Sequence, residues 1–278
     1  MTTRDSPAHR FLIQVVDDLS SGDVNFPTFL GAAMEIRTAM NDPDLTVDAL
    51  GRLIATEPLV SAKVIRLANS AALNPSATEV SDVRSAVMRV GFSSIRSLAI
   101  SVAIEQLLLE KTMGPYLDSA RRLWEHSLEV AALSFVIARR LTKINPHEAM
   151  FAGLVHDIGH FYLLSRIAHH PEFARDAEDV GRLLFEWHAS VGHAVLGALE
   201  TPEPILEAVS DHEIAFDGDT PATLANVLYM ANRFAAKRNP FSSRADAPPA
   251  VPAPNSAAAA IVDESREELD SLIGALGR

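Results

Sequence analysis

The chain has 278 residues, 48% of them hydrophobic and 22% charged, enough to bury a sizeable core as one large domain or as two lobes sharing an interface. A formal net charge of -12 opposes non-specific attraction to a nucleic-acid backbone, which is built from excess Lys and Arg, so nucleic acid is disfavoured as a partner. Cysteine is absent, which excludes disulfide frameworks, thiolate zinc sites and cysteine nucleophiles and leaves any metal to His, Asp or Glu.

The N-terminal MTTRDSPAHR lacks the apolar core of a secretory signal, and the longest apolar runs, such as Leu98 to Ile104, stop short of a bilayer span. A cytoplasmic protein with no membrane partner is expected. Residues 1–20 read as a leader or helix. In the first third, Pro27, Pro43, Pro58 and Pro75 divide the chain into short helices. Thr46, with Asp48 behind it, supplies an N-cap and first turn for the helix that follows. Pro58 restricts Glu57 to extended backbone and suits the first helical turn. Asn69-Ser70 ends the apolar pattern of Val60, Val64, Leu67 and Ala68, where amide and hydroxyl groups can satisfy exposed carbonyls and the next turn. Gly91 follows a helix with Ala86, Val87 and Val90 on one face and is expected as its left-handed C-terminal cap.

Gly114-Pro115 interrupts two long helical patterns and separates a lobe over 21–113 from a second over 116–240. In the second, Leu123, Trp124, Leu128, Ala131, Ala132, Phe135, Val136 and Ala138 recur at three- and four-residue steps along one face of a long helix. The basic groups Arg121-Arg122 and Arg139-Arg140 with Lys143 read as solvated helix ends. Residues 241–256, rich in Pro, Ala and Ser, read as an extended linker. Beyond it, 257–278 returns to helical spacing through Ile261, Leu269, Leu272, Ile273 and Leu276, as a helix that docks back on the body or binds a partner, docking being favoured. The fold class is all-α, a multi-helical bundle without convincing strand alternation anywhere.

Most of the ten histidines fall between His126 and His193. Five residues are candidate ligands: His126, His156, Asp157, His188 and His212. Asp157 follows His156 inside an apolar stretch with Leu154, Val155, Ile158 and Phe161, and a buried carboxylate costs several kcal/mol unless it is paired, hydrogen-bonded or metal-bound. Imidazoles with a carboxylate suit Mn, Fe, Co or Zn, whereas carboxylate alone suits Mg. The spacing equally allows a polar network that only fixes helix packing.

His126, the doublet His156-Asp157 followed by Ile158-Gly159, and the later histidines in 188-HASVGHAVL-196 and 211-DHE-213 resemble the HD superfamily of metal-dependent phosphohydrolases. Phe26-Pro27, Glu57-Pro58, Asn69-Ser70 and the helix Ala86-Val87 to Val90-Gly91 resemble, more specifically, the HDOD domain, an HD-related output domain of bacterial signalling. The resemblance covers about residues 20–240. It implies an HD-like bundle in two lobes, and one or two metals held by an early His, the His-Asp doublet and a late Asp. Asn232 stands where that Asp is expected and weakens the site. His160 stands where the cyclic-dinucleotide phosphodiesterase branch carries a phosphate-binding Lys, and Asp211 replaces a further His, itself an alternative ligand. Absent are the Gly-Tyr-Pro signature of that branch and any receiver, GGDEF or EAL segment.

The resemblance therefore implies a stand-alone regulatory module, non-catalytic or weakly catalytic, with one divalent metal. Its expected partners are other signalling proteins and a small phosphorylated ligand. The competing expectation is a metal-dependent phosphohydrolase or cyclic-nucleotide phosphodiesterase.

Overall fold

A computed structural model describes residues 7–20, 31–170, 177–242 and 257–277. All regular structure among them is helical. In chain order the elements are α1 (Pro7–Ser20), α2 (Gly31–Met40), α3 (Val47–Ala55), α4 (Pro58–Ala68), α5 (Val83–Leu107), a short 3-10 turn (Lys111–Tyr116), α6 (Leu117–Leu141), α7 (Pro146–Val155), α8 (Ile158–Ile167), α9 (Ala177–Ala198), α10 (Glu203–Asp211), α11 (Leu224–Phe234), α12 (Ala257–Glu264) and α13 (Arg266–Gly277). The expected Phe26-Pro27 motif and all but the first two residues of the 241–256 linker lie outside the described residues.

Local chemistry sets the helix ends in the first lobe. Thr46 accepts a hydrogen bond from the Ala49 amide at the start of α3, with Asp48 in the first turn. Glu57 is extended (φ -115°, ψ 91°) and Pro58 opens α4. Asn69 does more than close α4. Its amide donates to the Val80 carbonyl at 2.7 Å and its oxygen accepts from the Val80 amide at 2.8 Å, pinning the loop that leads to α5. Ser70, expected to help there with its hydroxyl, instead buries an Oγ that has no partner among the described residues.

Gly91 has the positive φ its position suggested. At φ 76°, ψ 163° it is non-helical, in a region open essentially to glycine alone, and it ends the helical segment that carries Ala86, Val87 and Val90; a second segment starts directly after it, so α5 is two segments joined at a kink. Taken across that kink, Val83–Leu107 is the one described helix long and apolar enough to cross a membrane by length and composition. It is a core helix, with 67% of that apolar window buried in the protein.

The lobes share one apolar cluster running from Phe11 in α1 to Leu276 in α13. In the first, α2, α3 and α4 pack on α5; in the second, α7 and α11 pack on α6, α8 on α9, and α9 on α10. Helix α5 meets α7 across the junction, and α13 lies against α4, α5 and α6, touching both lobes. The C-terminal segment thus docks, as two helices broken at Ser265, with Leu269, Leu272, Ala275 and Leu276 buried.

Polar contacts hold that docking in register. Buried Lys63 of α4 bonds both Glu105 of α5, at 3.0 Å, and the Leu276 carbonyl of α13. Arg139 and Arg140 of α6 both pair with Glu268 of α13. These arginines are exposed in the last turn of α6, as expected, and in addition anchor the tail. A carboxylate brought by a segment distant in sequence cannot be read from local charge spacing.

Replacing Gly91 by Ala is expected to lower unfolding free energy by about 1–3 kcal/mol, because Ala must be forced into this backbone region. No atom lies within 4 Å of the added Cβ, so the loss would report backbone strain alone. An unchanged denaturation midpoint would refute the account.

Candidate metal centre

The His-Asp doublet is not inside a helix. Helix α7 ends at Val155, His156 caps it, and Asp157, at φ -102° and ψ 15°, turns the chain into α8. The apolar neighbours that suggested one buried helix belong to two, and the junction delivers the carboxylate to the centre of the second lobe. Asp157 is 1% exposed.

Around it the structure gathers all the other residues singled out in sequence: His126 from the middle of α6, His156, His188 from α9 and His212 just after α10. Each ring is held from behind. Nδ1 of His156, His188 and His212 lies 2.8, 2.8 and 2.6 Å from the carbonyls of Gly153, Phe185 and Val209, three residues back in each chain segment. His126 Nδ1 lies 2.8 Å from the Lys237 carbonyl. A carbonyl can only accept, so each Nδ1 carries the proton, and in the neutral ring each Nε2 carries a lone pair.

Those four Nε2 atoms converge on one carboxylate. His156 and His126 lie 3.1 and 3.6 Å from Oδ2 of Asp157, and His188 and His212 each lie 4.0 Å from Oδ1. His156 Nε2 is close to Oδ2 yet off the direction of a hydrogen bond, and with Nε2 of His126 and His188 it is buried without a partner. Two ligand groups result, His126–His156–Asp157 and Asp157–His188–His212, each with its donor atoms within 4.8 Å of one another. Buried lone pairs that face a carboxylate and find no proton donor suit a divalent cation. The buried His/Asp groups can hold a metal.

Two residues orient the carboxylate. His160 Nδ1 donates to Oδ1 at 3.2 Å, and the Asn239 amide donates to Oδ2 at 2.9 Å. His160 is stacked between the rings of His188 (4.1 Å) and Phe241 (5.4 Å). It is a buried support for Asp157 at the position where the phosphodiesterase branch carries a phosphate-binding Lys. Asn239 had no sequence signal, since it sits in a loop near the linker and reaches Asp157 only through the fold. Asn232, in α11, is half-buried and makes no hydrogen bond among the described residues. Asp211 is exposed and belongs to neither ligand group, which removes it as an alternative ligand.

The electrostatics follow from burial. It would raise the Asp157 pKa, but the charges of His156 and His160, with the hydrogen bond from His160, hold it well below the usual carboxylate range. Burial opposes charge on His156, and the Asp157 carboxylate outweighs it, so this pKa is raised. Desolvation takes His126 and His160 to about 4, and His212, also repelled by His156, to about 3. Without metal, the Asp157 carboxylate favours the charged form of His156, whereas burial favours neutral rings at His126, His160 and His212, and a bound cation would compete with a proton at His156.

Helix α9 approaches closely because residue 159 is glycine. A Cβ there would lie 2.0 Å from the His188 carbonyl oxygen and 2.7 Å from the Gly192 amide. Gly159→Ala is expected to push α9 away, lowering the unfolding midpoint and the metal affinity together; loss of neither would show that the contact does not set the His188 position.

Acid should also destabilise the metal-free protein. Between pH 6.5 and about 4 the unfolded chain protonates His126, His160 and His212 while the folded chain does not, so the unfolded state binds more protons and stability falls as pH falls. His156 acts in the opposite sense: its contribution is present below pH 6.5 and is lost as pH rises through its raised pKa. With three groups against one, thermal midpoints in chelator are expected to drop from pH 7 to 4.5. A flat profile would contradict the neutral assignment.

Solved structures share this fold. A Shewanella amazonensis SB2B structure described as a candidate metal-dependent phosphohydrolase is 23% identical with a TM-score of 0.73, covering 97% of this chain and 99% of its own. A Geobacter sulfurreducens HDOD domain protein of unknown function is 22% identical with a TM-score of 0.58, over 95% and 96% of the two chains. A Marinobacter aquaeolei VT8 structure described as a candidate signal transduction protein is 17% identical with a TM-score of 0.57, over 98% of this chain and 66% of its own. Likenesses at this identity establish the fold. An uncharacterized Treponema pallidum (strain Nichols) protein is 23% identical over 205 residues, 68% of this chain; the chain spans 37% of that relative's length. The HDOD domain family model matches residues 26–215, well over half of the sequence, and the chain belongs to the HDOD domain family.

Proposed function

We propose that this chain is a regulatory signalling domain that holds one divalent transition metal on Asp157 and the four surrounding histidines and acts through partner proteins, with little or no hydrolytic turnover. The observation that carries this reading is the convergence of four backbone-oriented imidazoles on a single buried carboxylate. Four nitrogen donors favour Mn, Fe, Co or Zn over Mg, which prefers oxygen. One divalent ion beside one carboxylate leaves a single net positive charge in a buried site. Two ions would leave three, with no second carboxylate to offset them.

His126 and His156 would serve one side of the ion, and His188 and His212 the other, with Asp157 between them. His160 and Asn239 keep the carboxylate in place, and the Lys237 carbonyl keeps His126 in its tautomer. When bound, a metal supplies Lewis-acid polarisation of a phosphate oxygen and a more acidic water. A site with this donor set is suited to stabilising the second lobe and binding a phosphorylated ligand.

Protein purified without chelator is expected to carry about one equivalent of metal by elemental analysis, and Asp157→Ala to carry almost none. Asn239→Ala, which leaves every ligand intact, is expected to weaken metal binding by about 10- to 100-fold. Equal metal content in wild type and Asp157→Ala would reduce the cluster to a packing network.

The presence of two ligand groups sharing Asp157 favours a second reading, a metal-dependent phosphohydrolase or cyclic-nucleotide phosphodiesterase. Two equivalents of metal with turnover of nucleotides or cyclic dinucleotides in Mn would select it over the first. Gain of turnover in Asn232→Asp would instead mark the wild type as a lapsed hydrolase.

A further inference from the structure

Glu213, directly after His212, places a second carboxylate on the solvent side of the metal centre. Its side chain is 49% exposed, and its Oε1 lies 3.8 Å from Nε2 of His188, whose ring is 2% exposed. Asp157, by contrast, is 1% exposed. Among the described residues, Glu213 is thus the acidic group that both touches a candidate ligand and reaches water.

Nδ1 of His188 donates to the Phe185 carbonyl, so in the neutral ring Nε2 carries a lone pair. That nitrogen is buried and has no hydrogen-bond partner among the described residues. It faces Oε1 of Glu213 and, at 4.0 Å, Oδ1 of Asp157. Three electron-rich atoms this close repel one another unless a cation lies among them. Two atoms bound to one divalent ion at about 2.0–2.2 Å lie about 3–4 Å apart, so the spacing of Oε1 and Nε2 needs little adjustment to receive one. Glu213 belongs to neither ligand group and is half-exposed, so it is a neighbour of the finished centre and no second buried carboxylate within it. Its field nevertheless reaches inward: burial opposes charge on His156, Asp157 favours it, and Glu213 adds to that.

The chain around this contact carries one sign of charge. From Leu183 to Asn232 there are eight Asp and Glu residues and no Lys or Arg, and all eight acids are exposed. Glu186 and Asp211 stand two residues from His188 and Glu213. A surface of one sign raises the local concentration of counter-ions and speeds their association, an effect that salt removes. An exposed side chain also changes rotamer within nanoseconds, a freedom that buried Asp157 lacks. We infer that Glu213 is the entry ligand of the metal centre, the carboxylate that takes a divalent cation from solvent and passes it to His188 and Asp157. The inference rests on the metal-binding reading proposed above and adds to it a route and the residue that sets the rate of loading.

The probe is Zn, mixed rapidly with chelator-treated full-length protein while an indicator dye follows the free ion. Glu213→Gln is expected to keep the wild-type thermal midpoint in chelator, since the side chain is half-exposed, and to take up Zn at least about tenfold more slowly at low salt. Its final metal content should stay close to that of wild type, because His126, His156, Asp157, His188 and His212 are intact. Glu213→Asp, which keeps the charge on a shorter stem, is expected to fall between the two. Glu203→Gln makes the same change of charge on an exposed acid of α10 away from His188, and is expected to slow uptake by less than about twofold. Added salt should slow the wild type more than Glu213→Gln. Equal rates in wild type and Glu213→Gln, or equal slowing by Glu203→Gln, would overturn the entry role and leave the metal centre standing. Failure of the wild type to take up Zn would remove both.

Discussion

A single carboxylate, buried where α7 turns into α8, sets the terms for the second lobe. Asp157 has lost nearly all its water, and several kcal/mol must be recovered from what surrounds it. The recovery comes from four imidazoles, one further histidine and one amide, delivered by α6, the α7–α8 junction, α8, α9, the end of α10 and the segment after α11. These groups work only at hydrogen-bond or ligand distance, so each of those elements is held in place by the same requirement. The arrangement therefore ties the packing of the lobe to the chemistry at its centre.

The histidines are oriented by backbone and not by other side chains. In three of the four, Nδ1 is bound to the carbonyl three residues earlier, so the ring's direction is set by its own backbone. Such a ring needs no other side chain to hold its tautomer. His126 borrows the Lys237 carbonyl instead, which makes the segment at 235–242 part of the centre. Closeness of approach depends on glycine at 159, where the backbones of α8 and α9 meet without a side chain between them.

The first lobe and the C-terminal helices stand further from this chemistry and are held by more ordinary means. Asn69 clips the loop before α5, Gly91 divides α5 into two helical segments, and Lys63 with the Arg139, Arg140 and Glu268 group fixes α13 across both lobes. Because α13 touches α4, α5 and α6, a change in the docking of the tail would be felt on both sides of the lobe junction. This is a mechanical link between the core of the bundle and its terminus, held by part-buried charge pairs.

Much of this was legible in the sequence, for physical reasons. Helical periodicity, proline positions and the Thr46 and Pro58 caps are local properties, and the all-α class and the helix starts follow from them. His126, His156, Asp157, His188 and His212 could be singled out because polar residues in apolar stretches need partners. Their family pattern named the same set. Three-dimensional closure decided the rest. That the doublet lies at a helix junction, that His160 supports Asp157, that Asp211 faces solvent, and that Arg139 and Arg140 anchor the tail all depend on contacts between residues far apart in sequence. Asn239 shows the limit most plainly: nothing in a polar loop beside a proline-rich stretch distinguishes it. Its proximity to Asp157, 82 residues away along the chain, exists only once the helices have packed. Residue types and local spacing determined which groups needed partners, and tertiary packing alone decided which partners they found, because burial and hydrogen-bond distance are properties of the folded chain.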